Sequence, residues 1–266
     1  MARDPLRPLT LVWTFFRIGA LNELQYRVNF FLQLLQSLVA LGTALAVLAL
    51  VFSHTDGLGG WSPSELLAVM GVHILMGGVI RSAIQPSMQR LIEDVRQGTL
   101  DYTLTKPEDA QLLVSAREFR IWQAVDVVVG AIVLGVAVTR LETAVGLWSA
   151  FGFAVALLLG AVMIYCFWLT LTVGAFWIVR MEFIVELFDG VYQAGRWPVT
   201  IYPGWLRIGF TFLVPLAFAV TLPAQGLTGR LDGMTLLAAA FFAAALFGFT
   251  RWLWRTGLRR YAGASA

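Results

Sequence analysis

Six long apolar runs constrain this chain more than any other feature. They occupy 28–52, 66–84, 121–139, 149–179, 203–222 and 234–254. Each can supply the roughly 20 helical residues that cross a hydrocarbon layer of about 30 Å. The fourth run, about 30 residues or about 45 Å as a helix, must tilt, kink or project into water. A transmembrane barrel would instead alternate in segments of about ten residues. The predicted fold class is therefore an all-α membrane protein with six transmembrane helices. Composition agrees. The chain is 59% hydrophobic and 13% charged, about half the roughly 25% charge of a soluble domain. Disorder needs the opposite balance. The single cysteine, Cys166, excludes a disulfide scaffold.

The basic residues give an orientation. With six spans and both termini in the cytoplasm, all 19 basic residues except Arg140 and Arg230 fall on the cytoplasmic side, as the positive-inside rule requires. They flank membrane segments rather than forming one stripe, which sets nucleic acid aside. Residues 1–27 lack the pattern of a cleavable leader. Leu9, Val12, Trp13, Phe16, Ala20 and Leu24 recur there at helical spacing. This predicts an N-terminal amphipathic helix in the membrane interface, the alternative being an extension of the first span. A single transmembrane domain then covers 28–256, and 257–266 forms a cytoplasmic tail.

The largest polar segment, 85–120, falls on the cytoplasmic side. Pro86 is expected to open a helix at its first turn. Met88, Leu91, Ile92 and Val95 make one apolar face, and Gly98 suits a C-terminal cap. Residues 100–105 form a second short piece, which Pro107 stops. Glu108 and Asp109 favour the start of the next helix. The segment is either an ordinary solvated loop or an amphipathic helix whose apolar face lipid, the chain itself or a partner covers.

The stretch Arg96-Gln97-Gly98-Thr99-Leu100-Asp101-Tyr102-Thr103-Leu104-Thr105-Lys106-Pro107 resembles the Gly-Thr-Leu-[Asp/Glu]-x-Leu-Leu-x-[Thr/Lys/Arg]-Pro segment of type-2 ATP-binding-cassette (ABC) transporter permeases. The resemblance implies a cytoplasmic coupling helix region, 85–107, between spans 2 and 3. Its implied ATPase-docking residues are Glu93, Asp94, Arg96, Gly98, Leu100, Asp101, Tyr102 and Pro107. The stretch from Val214 to Ala224 is similar to the family's proline-containing re-entrant exit element. This implies such an element over 213–228, shaped by Pro215, Phe218 and Pro223. Residues 196–203 and 22–30 resemble a bacterial subfamily often encoded as paired permeases with one ATPase. The implied protein is the permease subunit of an exporter in the bacterial inner membrane. Its implied partners are two cytoplasmic ATPase subunits, a second permease and membrane lipids. ATP and Mg would be bound by the ATPase, with no cofactor in this chain.

The residues agree with a chain that is not an enzyme itself. A phosphate-binding loop needs Gly-x-x-x-x-Gly-Lys-[Ser/Thr], and the sole lysine, Lys106, precedes Pro107. His54 and His73 have no metal-ligand spacing, and Cys166 reads as a packing residue. No Gly-x-Ser-x-Gly elbow occurs. Asn29, Gln33 and Gln36, continued by Ala40 and Thr43, form a polar-to-small stripe on the first span. Such a stripe lines a substrate pathway or makes inter-helix hydrogen bonds. His73 is a further candidate for pathway lining, and Asp126 is expected to pair with a flanking arginine. Ala240, Ala244 and Gly248 offer a close-packing face. Two rival readings stay open: an ion-coupled secondary transporter using His73 or Asp126, and a non-transport scaffold or small membrane enzyme.

Overall fold

The computed structural model describes residues 7–23, 27–55, 57–141, 145–176 and 183–261. Leu24, the end of the fourth apolar run, 177–179, and the end of the tail, 262–266, lie outside them. Helix accounts for 82% of the chain, and no strand occurs among the described residues. Five helices are long and apolar enough to cross a membrane, with a sixth if a bent pair counts as one.

The chain begins with α1 (Arg7–Glu23) and α2 (Arg27–Phe52). After a tight turn, α3 (Pro63–Val79) starts at a capping box in which Ser62 and Glu65 satisfy each other's amides. A π-helical turn, Ile80–Ile84, leads directly into α4 (Gln85–Gln97). Pro86 stands in the first turn of α4, as its position in the sequence implies, but α4 does not stand apart from α3. Instead Pro63–Gln97 is one continuous rod of 35 residues, about 52 Å long. Proline has no N–H, so a regular helix would leave the Ser82 carbonyl unpaired. The π turn shifts the hydrogen-bond register ahead of Pro86. The Ser82 carbonyl instead accepts the Arg120 amide at 2.9 Å. The rod exceeds a bilayer core of about 30 Å, so one end projects.

Beyond the rod come α5 (Asp101–Leu104), α6 (Ala110–Ser115), and α7 (Val125–Arg140) behind a 3-10 turn at Ile121–Ala124. Helices α3 and α7 lie backbone to backbone. A Cβ at Gly78 would sit 2.6 Å from the Val127 amide nitrogen, and one at Gly130 would collide with the Leu75 backbone. Small residues at such crossings permit the close approach that drives helix association in lipid. Helix α8 (Leu147–Val173) packs on the far side of the rod and against α12 (Gly233–Leu258). On α12 the buried small residues are Ala239, Ala243 and Gly257. Ala244 and Gly248 face outward.

The fifth apolar run does not behave as its length suggests. It forms two helical arms, Gly204–Leu213 and Ala217–Leu227, bent by 80° at the break. These arms contain α10 (Gly204–Ile208) and α11 (Leu222–Leu227), each extended by a π turn. Val214, preceding Pro215, is extended, as steric clash with a proline ring dictates. Both arms end at the same end of the molecule. Arg207 donates to the Thr200 carbonyl at 2.7 Å, and Trp61 donates to the Thr200 hydroxyl at 3.0 Å. Arg230 clamps both Glu65 carboxylate oxygens at 2.7 Å. It also lies 4.8 Å above the Trp61 ring.

Arg207 therefore shares an end with Arg230, which corrects its assignment to the opposite side. The chain reaches that end earlier, through α9 (Ile184–Ala194) and the residues after it. Along α3, Tyr192 meets His73 and Thr200 meets Trp61. Length-based reading missed this passage because its apolar stretch is short and carries Glu186 and Asp189.

The α3–α7 crossing yields a test. Gly130→Ala should cost about 1–3 kcal/mol through overpacking. Gly135→Ala, on the same helix with open space around it, should change stability by less than about 0.5 kcal/mol. Thermal unfolding in detergent compares the two.

Candidate functional site

At the end of the rod the chain reverses within a few residues. Gly98 adopts a left-handed conformation, φ 70°, which caps α4 and would strain any residue with a Cβ. Asp94 holds the turn together. It is 1% exposed and pairs with Arg90 at 3.2 Å and with Arg117. It also accepts the Thr99 hydroxyl at 3.0 Å. The returning strand of chain is fastened to the rod a second time. The buried Ser87 hydroxyl donates to the Glu118 carbonyl at 3.0 Å and accepts the Glu118 amide at 3.2 Å. Leu100 is fully buried beneath the turn.

The surface of the turn is different in character. Tyr102 is 76% exposed, and Arg96 and Pro107 are exposed. Glu93 is half-buried and pairs with Arg96 at 2.7 Å, and Asp101 is partly exposed. The eight sequence-derived residues of this segment thus separate into two sets. Asp94, Gly98 and Leu100 build the turn, while Glu93, Arg96, Asp101, Tyr102 and Pro107 form its outer surface.

The turn is tied to the last helix. Asp109 caps α6 by accepting the Leu112 amide at 3.2 Å. It also receives Arg251 of α12, whose Nη1 lies 2.9 Å from its Oδ1. Arg251 bonds Gln111 as well, at 2.7 Å, and Gln111 reaches the Tyr165 hydroxyl of α8. The hydrogen bond from Arg251 holds the Asp109 carboxyl below the usual carboxylate range, helped by the Leu112 amide and opposed by partial burial.

A second polar feature lies within the helices. A cavity of about 320 Å³ opens between α2, α3, α7 and residues 193–196. Gln33, Gln36, Ser37 and Ala40 contribute from α2, His73 and Arg81 from the rod, and Asp126 from α7. Asp126 is 5% exposed. It pairs with Arg81 at 2.6 Å and accepts the Ser37 hydroxyl, so the expected pairing with an arginine is present. A second hollow shares Gln33, Gln36 and Gln123 with the first and adds Asn29. Thr43 lines neither hollow, and its hydroxyl donates to the Val39 carbonyl at 2.8 Å. His73 stacks on Tyr192, ring centroids 4.5 Å apart. Tyr192 donates to the His73 carbonyl at 2.8 Å. Gln193 and Arg196, which sequence reasoning missed, complete the wall. A signal was present: Ile184, Phe188 and Tyr192 repeat at i, i+4, i+8, the mark of a packed helix.

The three exit-element candidates sit together around the bend. Pro215 is buried at the break and Pro223 is buried in α11. Phe218 stacks on Phe242 of α12, centroids 5.4 Å apart. Helix α8 admits this element closely, since a Cβ at Gly160 would fall 2.8 Å from the Ala219 Cα. Among the described residues no cluster of His, Cys, Asp and Glu could hold a metal ion.

A family model described as an ABC-2 family transporter protein matches residues 38–265. This chain belongs to that family. It is a membrane transport permease of the ABC type, with several helices compatible with a multi-pass membrane protein. ABC-2 permeases are membrane components that associate with ABC ATPases, and ATP hydrolysis lies in those separate subunits. Comparison with curated proteins and with solved structures returns no match. The matched range takes in the charged turn, the bend and His73, whereas Asn29, Gln33 and Gln36 precede it.

Two measurements probe the turn of this ABC-2 permease. Asp94→Ala should cost about 2–3 kcal/mol. This is less than the roughly 3–5 of a fully buried pair, because both arginines keep contact with water. Thermal unfolding in detergent reads it. Asp109 has its lower pKa in the folded state, so its contribution is present above about pH 4. That contribution disappears as pH falls through the folded value. On acidification the melting temperature of the wild type should converge on that of Asp109→Asn.

Proposed function

We propose that this chain is the permease subunit of a bacterial ABC exporter in the inner membrane. It pairs with a second permease, identical or homologous, and works with two cytoplasmic ATPase subunits that bind ATP and Mg. The rod and its turn, 85–107, form the coupling element. Both termini and the turn lie in the cytoplasm. The spans are Val28–Phe52, Pro63–Gln97, Ile121–Arg140, Leu147–Phe176, a fifth crossing through 184–201, and Gly233–Leu258. Residues 203–228 re-enter from the outer face as an exit element, bent at Val214 and Pro215.

The observation that carries the reading is the continuity of the rod. A helix of about 52 Å extends well past a bilayer core, and its projecting end bears a rigid turn with Tyr102 and Arg96 on its surface. ATP binding closes the ATPase dimer and displaces the turn. Because no loop intervenes between turn and span, the displacement reaches His73 and the polar cavity directly. The cavity is part of the substrate path. The second tie, Asp109 to Arg251, carries the same displacement to the last span.

Co-expression and co-purification with candidate ABC ATPases of the same organism test the proposal. Combined Tyr102→Ala and Arg96→Ala should change the permease's own stability by less than about 1 kcal/mol. The same variant should weaken ATPase association about tenfold or more and abolish ATP-driven transport. Undiminished association and transport would sink the coupling assignment.

A further inference from the structure

We infer that the cavity between α2, α3, α7 and residues 193–196 binds the anionic headgroup of an amphiphile, with Arg196 as its pairing residue. The charges of the cavity do not balance. Arg81 and Arg196 bring two guanidinium groups, and Asp126 is the one carboxylate in the wall. Asp126 is committed to Arg81 and to the Ser37 hydroxyl. Arg196 is bonded only to a neutral oxygen, Gln193 Oε1, at 2.8 Å. No carboxylate reaches it among the described residues.

Arg196 is half-buried beside the exposed Gln193; in the proposed fifth crossing, through 184–201, an unpaired cation is costly and an anion relieves the cost. The guanidinium fork suits a phosphodiester or carboxylate in two-point contact. His73 adds a buried imidazole to the same wall. Gln33 and Gln36 add neutral donors on the facing helix. Ala40, Ala44 and Met70 make the rest of the lining apolar. A volume of about 320 Å³ accepts a headgroup but not a pair of acyl chains, so the ligand is an amphiphile held by its charged end. One net positive charge calls for a ligand carrying one negative charge.

This inference rests on the proposed transport pathway, and the test separates the two. The full chain is placed in phosphatidylcholine nanodiscs doped with phosphatidylglycerol. Native mass spectrometry measures which lipid is retained after mild delipidation. Wild type should retain phosphatidylglycerol in preference to phosphatidylcholine. Arg196→Gln should reduce that preference about tenfold, and Arg196→Lys should keep most of it. Arg207→Gln, at the far end of the molecule, should leave it unchanged. If Arg196→Gln unfolds, Gln36→Glu replaces it. That variant sets a carboxylate at the exposed rim of the cavity and should cause the same loss.

Titration with inorganic phosphate distinguishes the sources. Failure to displace the lipid supports the amphiphile, while displacement at comparable affinity assigns the site to free anions and overturns it. Equal retention of the two lipids by wild type overturns the inference, as does undiminished preference in Arg196→Gln or Gln36→Glu. A preference lost in Arg196→Gln with ATP-driven transport intact supports the anion site and overturns the pathway reading.

Discussion

Every peptide group in a hydrocarbon layer must find its hydrogen bond inside the protein, and proline removes one donor each time it occurs. The architecture of this permease follows from how three prolines are accommodated. Each stands two residues beyond a π-helical turn: Ile80–Ile84 before Pro86, Gly209–Leu213 before Pro215, and Ala217–Thr221 before Pro223. At Pro86 and Pro223 the helix continues through the shifted register. At Pro215 the preceding residue becomes extended and the helix folds back. Similar local chemistry thus yields a rigid rod in one place and a bend of 80° in another. The difference lies in the neighbours. The Ser82 carbonyl accepts the Arg120 amide, whereas the bent pair is tied at its ends through Trp61, Thr200 and Arg230.

Buried charge is used sparingly and always in company. Among the described residues Asp94 and Asp126 are the two deeply buried carboxylates, and each has an arginine and a hydroxyl. Asp94 fixes a turn outside the apolar spans. Asp126 joins three helices at the cavity. Breaking either would strand a charge in a poorly polarisable surrounding, which is why such groups specify geometry even where their net contribution to stability is small. An ion-coupled reading for Asp126 would need it to release its arginine. The carboxylate is held from both oxygens.

Periodicity and punctuation made much of this legible in advance. The first, third, fourth and sixth apolar runs correspond closely to helices, and Gly98 and Asp109 perform the capping roles their types imply. The departures have physical causes. Hydropathy measures length and not direction, so 203–222 read as one straight run although the chain bends by 80° at the break. Conversely, 184–201 runs along α3, which its acidic residues and short apolar stretch disguised. Asp94 looked like a surface charge because its partner Arg117 is 23 residues away, and no local pattern announces such a contact. Arg196 was counted as a membrane flank, and only the fold brings it beside His73.

Two ion pairs, Glu65–Arg230 and Asp109–Arg251, stand at opposite ends of the same rectangle. In both the carboxylate belongs to the first half of the chain, at the head of the rod or just beyond its turn. In both the arginine lies at the start of α12 or inside it. With α8 packed between them, the rod and the last helix form a closed chassis braced at its corners. A chassis of this kind turns as one body and resists shear. Helix α2, which packs chiefly on α7 and is otherwise exposed, is outside it. So is the exposed arm Gly204–Leu213, whereas Ala217–Leu227 is buried against α8 and the rod. The mechanical divide in this permease therefore runs between a braced frame and the lightly held α2, and the polar cavity opens along that seam.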